Sequence, residues 1–202
     1  MSCSTPCKSH MPQPKALLDP WSQALLALCL AWLCAISGVQ ATTTLVPPVE
    51  VASELEKPAL AGSGRLRFLG LSVYEARLWT TPQFQSERFG AHPFALEIRY
   101  ARTISGSALT DASLKQMQAI EAPSGTRQAE WQQALSGAFP NVKAGDRLTG
   151  MHHPEKGLRL YFNGQLHKSI DDPLLSQSFF AIWLSPATPE PRLRAQLLGL
   201  GT

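Results

Sequence analysis

Arg147-Leu148-Thr149-Gly150-Met151-His152-His153-Pro154-Glu155-Lys156-Gly157-Leu158-Arg159-Leu160-Tyr161-Phe162-Asn163-Gly164-Gln165-Leu166-His167-Lys168-Ser169-Ile170 reads as three short strands joined by two turns. The first turn runs through Pro154-Glu155-Lys156-Gly157. The second is Asn163-Gly164, a pair that tolerates positive φ at both central positions of a tight hairpin. A two-residue turn there predicts Phe162 opposite Gln165, Leu160 opposite His167 and Arg159 opposite Lys168. The segment is therefore an antiparallel meander, and the rest of the chain is read around it.

Upstream, Phe94, Leu96, Ile98 and Tyr100 alternate with Ala95, Glu97, Arg99 and Ala101. This is the period of a strand that buries one face and wets the other. Arg65, Leu66, Arg67 and Phe68 alternate before Gly70, and Leu71, Val73, Tyr74, Leu78 and Trp79 continue a β-prone run, so residues 65–79 form a hairpin or one long bent strand. Two amphipathic helices follow the Tyr100 strand. Leu114, Met117 and Ile120 come after the cap candidates Thr110 and Asp111; Trp131, Ala134, Leu135 and Ala138 come after Thr126. After the meander, Asp172-Pro173 opens a strongly apolar helix that stops at Ser185-Pro186. Thr188-Pro189 opens a shorter one with Leu193, Leu197 and Leu198 that ends at Gly199. Strands, two helices, strands and two helices make an α+β layer of helices on a largely antiparallel sheet.

All four cysteines lie at positions 3, 7, 29 and 34. The last two sit in an apolar run, Ala24 to Ile36, of about 13 residues, too short for the roughly 20 needed to span a bilayer. The run follows Lys8 and Lys15 and ends at Ser37-Gly38-Val39-Gln40-Ala41, where Val39 and Ala41 fit a signal-peptidase site. Residues 1–41 are therefore expected to be a cleaved export signal, delivering a periplasmic or secreted protein with no stable membrane anchor. Leu28 and Leu33 precede the two cysteines, which argues against a lipoprotein signal. Export without a later cysteine excludes disulfide scaffolds, thiol nucleophiles and cysteine-ligated zinc. Residues 42–61 hold prolines and no sustained period and are expected as an extended lead-in able to supply an edge strand. Residues 62–202 form one domain. A formal charge of +3 with no like-charge block gives no nucleic-acid footprint.

Three runs carry a family resemblance: Gly62-Ser63-Gly64 through Trp79, Leu175-Ser176-Gln177-Ser178-Phe179-Phe180-Ala181-Ile182-Trp183-Leu184, and Leu193-Arg194-Ala195-Gln196-Leu197-Leu198-Gly199. Together with the strand and helix plan, they resemble the bacterial exported branch of the chalcone isomerase-like proteins over about residues 60–200. The resemblance implies an open-faced β-sandwich whose helices cover a large sheet and leave an apolar cleft. It also implies that active members close a chalcone ring without a cofactor. They use an arginine near the first core strand, a threonine within it, and a tyrosine, lysine and asparagine on or near the following helix. In this chain the threonine position falls at Leu69, and the tyrosine, lysine and asparagine positions fall at Leu109, Ala112 and Gln116. Arg65 and Arg67 both compete for the arginine position. Removing one oxyanion donor costs on the order of 3 kcal/mol, so removing several leaves the cyclisation without support.

The candidate ligand-binding residues are Arg65, Arg67, Leu69, Tyr74, Tyr100 and Leu109. Arg65 and Arg67, the two catalytic candidates, either turn a guanidinium into the cleft mouth or lie on the solvent face of their strand. Tyr74 and Tyr100 either donate to a ligand oxygen or pack in the core. His152, His153 and His167 do not make a zinc site on strand geometry, because adjacent residues point to opposite faces. No phosphate loop and no nucleophile elbow is present, and no cofactor is expected. The leading expectation is a non-catalytic exported protein that holds a small apolar or fatty-acid-like ligand between sheet and helices. The alternatives are a cofactor-free isomerase or lyase with a rearranged site around Arg65 or Arg67, and a partner-binding envelope protein whose cleft is filled by its own side chains.

Overall fold

Asn163 and Gly164 both take positive φ, 50° and 89°, and close the hairpin that their pairing predicts. A computed structural model of the chain describes residues 45–200; the expected export signal lies outside them. Six strands, β1 (Ala59–Phe68), β2 (Leu71–Thr80), β3 (Phe94–Tyr100), β4 (Arg147–His153), β5 (Gly157–Phe162) and β6 (Gln165–Ile170), pair antiparallel in simple chain order. The helices are α1 (Val49–Glu54), α2 (Gly106–Ile120), α3 (Gly125–Leu135), α4 (Pro173–Leu184) and α5 (Pro191–Leu197), with a 3₁₀ segment over Ser86–Ala91. The α+β class and the antiparallel sheet covered by helices stand as the sequence predicts.

In the β5–β6 hairpin, Phe162 faces Gln165 as expected, but a bulge between Leu160 and Tyr161 shifts the remainder. Leu160 faces Lys168 and Arg159 faces Ser169. Five of the six β6 residues are exposed, so no buried face enforces the regular register. The β1–β2 segment resolves as a hairpin whose two-residue turn is Leu69 (φ 49°) and Gly70 (φ 79°). Glycine suits that conformation; a leucine in it costs about 1 kcal/mol or more.

The largest corrections concern residues 42–61 and strand β3. The lead-in supplies the start of the edge strand β1 at Ala59, as expected, but ahead of it the chain is not extended: from Pro48 it winds into α1. Helix α1 lies across the sheet face opposite the other helices, packing Val51 and Leu55 on Trp79, Ala95, Met151 and Tyr161. It therefore also dries the face of β3 expected to be wet, where Ala95 and Glu97 are buried and Trp79 Nε1 donates to Glu97 at 3.0 Å. Carboxylates fix α1 in place. Thr149 Oγ1 donates to Glu50 at 2.9 Å, and Arg147 Nη2 lies 2.9 and 3.1 Å from the two Glu50 oxygens. Arg159 Nη1 donates to both Glu54 oxygens at 2.7 and 2.8 Å, and the Tyr161 hydroxyl donates to the same carboxylate. Leu45–Thr202 thus forms one compact unit with its own core.

The opposite face carries the main core, in which Leu78, Phe94, Leu96, Leu148, Leu158 and Leu160 meet Leu175, Phe179 and Phe180 of α4. Asp172 caps α4 by accepting from Leu175 N at 2.9 Å, as its cap-proline signature predicts. Two starts move. Helix α2 begins a turn early at Ser105, whose Oγ accepts from Ala108 N, and Thr110 instead donates back to the Gly106 carbonyl. Helix α5 begins at Pro191, because Thr188 donates to the Ile182 carbonyl at 2.6 Å and so finishes α4. The three resembling runs meet here. Gly62 lies against the α5 backbone so closely that a Cβ would sit 2.1 Å from the Gln196 carbonyl oxygen.

On β4, His152 is buried. Its Nε2 faces the Gly90 carbonyl at 3.0 Å and so carries the proton, which leaves Nδ1 to accept from Ser176 Oγ at 2.7 Å. Burial holds the His152 imidazole below its ordinary value of 6.5, against the Gly90 hydrogen bond. Burial likewise holds His153 down, against the Glu54 charge; its Nε2 lies 3.1 Å from Glu54 Oε2 without hydrogen-bond alignment. For Glu54, burial pushes the carboxyl up, but hydrogen bonds from Tyr161 and Arg159 and the charges of Arg159 and His153 outweigh it and leave it below 4.5.

Two predictions follow from this packing. Gly62→Ala is expected to lower unfolding free energy by about 3 kcal/mol in urea denaturation, since β1 must part from α5. Acid should act in two stages. As pH falls from about 7 toward 5, the unfolded chain binds protons that folded His152 and His153 resist, so stability drops; below about 4.5 it drops again as Glu54 is protonated. His152→Asn should flatten the first stage without abolishing it. Glu54→Gln should flatten the second, with a loss of about 2 kcal/mol at neutral pH. An unchanged first-stage slope in His152→Asn overturns the assignment.

Candidate functional site

Helix α4 covers the middle of the sheet and α5 covers the start of β1, so the end of the β1–β2 hairpin is roofed chiefly by α2. A cavity of about 200 Å³ remains between them. Its floor is Leu66, Val73, Tyr74, Ile98 and Tyr100, and its roof includes Leu109, Ala112 and Gln116. A wider mouth of about 450 Å³ shares Leu66, Tyr74 and Gln116 with it and adds Lys115 and Glu190. The inner chamber has no lysine or arginine in its lining among the described residues, and its character is apolar.

Five side chains, Tyr74, Tyr100, Ser113, Gln116 and Trp183, bring polar atoms to the chamber. Ser113 Oγ is spent on the Leu109 carbonyl at 2.8 Å, and Gln116 reaches from α2. Tyr74 and Tyr100 stand opposite each other on β2 and β3, with ring centroids 6.2 Å apart in an edge-to-face arrangement. The Tyr74 oxygen accepts from Trp183 Nε1 at 2.9 Å, which leaves its own proton free to donate. The Tyr100 hydroxyl has no hydrogen-bond partner among the described residues. Burial pushes the Tyr74 phenol up to about 12, against the Trp183 hydrogen bond, with a small push from Glu190. Burial also drives Tyr100 upward, with Tyr74 adding to it. Both therefore remain neutral O–H donors at any physiological pH.

Of the candidates from sequence, Tyr74, Tyr100 and Leu109 line the chamber together, as do Ala112 and Gln116. Arg65, Arg67 and Leu69 do not. Arg65 pairs with Glu75 across the hairpin at 3.5 Å, on the face opposite Leu66 and Tyr74. Arg67 follows the same alternation and is exposed. Leu69 occupies the two-residue turn and points to solvent, because of the two readings of residues 65–79 the hairpin holds and the chain folds back there. An arginine-centred catalytic site is thus absent from this cleft. Trp183, Ser113, Ile104 and Phe139 complete the lining and escaped the sequence reading. Trp183 sits in a helix apolar on all sides, where periodicity singles out no face.

Ser176 and His152 form the one serine–histidine couple found away from the cleft among the described residues, but both are fully buried and adjoin neither cavity, so no substrate carbonyl reaches them. The histidines do not converge: His152 serves the helix face, His153 the α1 face, and His167 lies on exposed β6. No group of three potential metal ligands clusters among the described residues.

Similarities to known proteins agree with this architecture. The structure resembles the crystal structure of an Arabidopsis thaliana fatty-acid binding protein, with a TM-score of 0.54 and 11% identity over 71% of this chain and 88% of that one. At that identity the likeness concerns the fold. An uncharacterized protein of Haemophilus influenzae is 28% identical over 109 residues, 53% of this chain, which spans about half of that curated relative's length, 52%. A family model described as chalcone isomerase-like matches residues 43–199, almost the whole of the described unit. On that match, the chain belongs to the chalcone isomerase-like family.

Proposed function

We propose that this protein is a non-catalytic carrier or sensor of a small apolar, fatty-acid-like ligand held between the sheet and α2. The observation that carries the reading is the apolar chamber with a lone unpartnered hydroxyl, Tyr100. A hydrocarbon gains by leaving water for such a lining, and a phenol that lines it without a hydrogen-bond partner among the described residues offers a donor to a ligand's acceptor oxygen. The ligand oxygen sits between the Tyr74 and Tyr100 hydroxyls, and the hydrocarbon runs along Leu66, Ile98 and Leu109. The structural neighbour is a fatty-acid binding protein, which is consistent with that ligand class. The aliphatic side chains of Leu109 and Ala112 on the roof supply no oxyanion donor, and among the described residues no base or cation hydrogen-bonds either phenol. Export of the chain to the periplasm or beyond the cell, by the leader expected at 1–41, belongs to the same proposal.

The two phenols in one chamber favour a second reading, a cofactor-free isomerase, and a spectrophotometric chalcone-cyclisation assay separates the two: no rate above the uncatalysed reaction is expected. For the binding reading, denaturing extraction and mass spectrometry of the purified protein should release a stoichiometric fatty-acid-like species. Tyr100→Phe should weaken rebinding of that species about tenfold, the worth of one hydrogen bond to a charged head group. Ala112→Phe, which fills the chamber, should abolish it while the thermal transition persists. Stoichiometric ligand retained in Ala112→Phe would place the binding site elsewhere.

A further inference from the structure

We propose that the tip of the β1–β2 hairpin inserts into the headgroup region of an anionic lipid bilayer and seats the mouth of the cavity on the membrane. The inference rests on the reading of that cavity as a lipid-binding chamber. Phe68, Leu69 and Leu71 are 63%, 87% and 61% exposed, three large apolar side chains within four residues at the end of a protruding hairpin. Leu69 combines two unfavourable choices. It holds a left-handed backbone conformation (φ 49°) in which asparagine or glycine is preferred, and its side chain gains nothing from burial within the described unit. A position that breaks backbone preference and solvation preference together marks a functional contact with something apolar outside the chain.

Shape and charge select a bilayer as that contact. Residues 67–71 are all exposed and a Cβ at Gly70 would meet nothing within 4 Å, so the tip fits a fluid phase that closes around it. Around it stand Arg65, Arg67, Arg99 and Arg102; Arg65 pairs with Glu75, which also holds Arg77 and lies opposite Arg99 in the β2–β3 register. Arg67, Arg99 and Arg102 are exposed and form no ion pair among the described residues. An apolar tip girdled by cations is the pattern of interfacial binding to anionic lipid. Position supplies the third argument. Phe68 pairs with Leu71, and the next residues inward, Leu66, Val73 and Tyr74, are already cavity lining. A bulge between Leu66 and Arg67 leaves Val73 unopposed beside that lining. An acyl chain leaving the bilayer beside Phe68 and Leu71 thus meets apolar surface up to the chamber.

The test is co-sedimentation of the unit spanning 45–202, which carries its own core and lacks the apolar 24–36 run, with phosphatidylglycerol–phosphatidylcholine vesicles and with phosphatidylcholine vesicles alone. Binding is expected to the anionic vesicles, to weaken with salt, and to fall roughly fivefold for each of Arg67→Gln and Arg102→Gln. Leu69→Asn relaxes the turn, so its melting temperature should hold or rise while vesicle binding drops about tenfold. Equal binding by Leu69→Asn and the parent, no preference for anionic vesicles, or a parent dimer that Leu69→Asn converts to monomer in light scattering would each overturn the proposal. Fatty-acid occupancy of Leu69→Asn, read by mass spectrometry, is expected to be unchanged after loading from detergent. Loss of occupancy in parent and variant alike would instead indict the chamber.

Discussion

The second half of β2, β3 as far as Ile98, and β4 are largely buried on both faces, and this double burial constrains everything else in the molecule. An antiparallel sheet usually leaves one face to water. Here Trp79, Ala95 and Met151 point away from the main core and demand a second cover, which α1 supplies with only Val51 and Leu55. A six-residue helix is far too short to be stable alone. Its attachment therefore depends on Glu50 and Glu54 reaching Thr149, Arg147, Arg159 and Tyr161 on the sheet. Each of these carboxylates is partly or wholly removed from water, and partners already held by β4 and β5 offset that desolvation.

The other face solves the same problem with bulk, and the cavity is what that solution leaves over. Phe179 and Phe180 stack over β3 and β4, meeting Phe94, Phe139 and His152 ring to ring. At the start of β1, Gly62 and Gly64 let α5 approach until its backbone touches the strand. Between these two close contacts, toward the far end of the β1–β2 hairpin, α4 contributes only Phe179, Ile182 and Trp183 to the space, the last bonded to Tyr74. Helix α2 covers the rest, and it offers alanines, Ala108 and Ala112, to the space. Small side chains on the roof and leucines on the floor cannot meet, so a void persists. Its apolar lining keeps it unattractive to water and suited to hydrocarbon.

How much of this was legible in the sequence depended on whether a residue's role was local. The Asn163-Gly164 turn, the Asp172-Pro173 cap and the alternation over Phe94–Tyr100 encode their geometry within a few residues, and all three elements lie where the sequence places them. The start of α2 shifted because Ser105 and Thr110 are both competent caps, and only Ser105 reaches a free N–H. Helix α1 was illegible: Val49–Glu54 has no full period, and its stability comes from partners about a hundred residues away. The site divided in the same way. Tyr74, Tyr100 and Leu109 share the chamber because strand alternation and helix spacing aim them there. Arg65, Arg67 and Leu69 miss it because one turn at Leu69-Gly70 reverses the chain, and alternation then sends the arginines to the opposite face.

Departures from local preference occur at both ends of the sheet. At the α1 side and along α4, Glu50, Glu97, His152 and Thr188 are buried with partners, while His153 Nε2 and Ser178 Oγ are buried without one and Lys57 takes positive φ. At the opposite end, a leucine at positive φ, three exposed large apolar side chains, a bulge at Val73 and a phenol without a hydrogen-bond partner among the described residues lie beside one cavity. A sequence under selection for folding alone would remove these conflicts, since an asparagine at position 69 or a phenylalanine at 100 satisfies its site at no cost to the core. Those beside the cavity mouth are accounted for if that end is where the protein meets its ligand and the phase that delivers it. Groups left unsatisfied by the chain are then satisfied by the complex. The well-ordered remainder holds the hairpin, α2 and the two tyrosines at fixed distances while this happens.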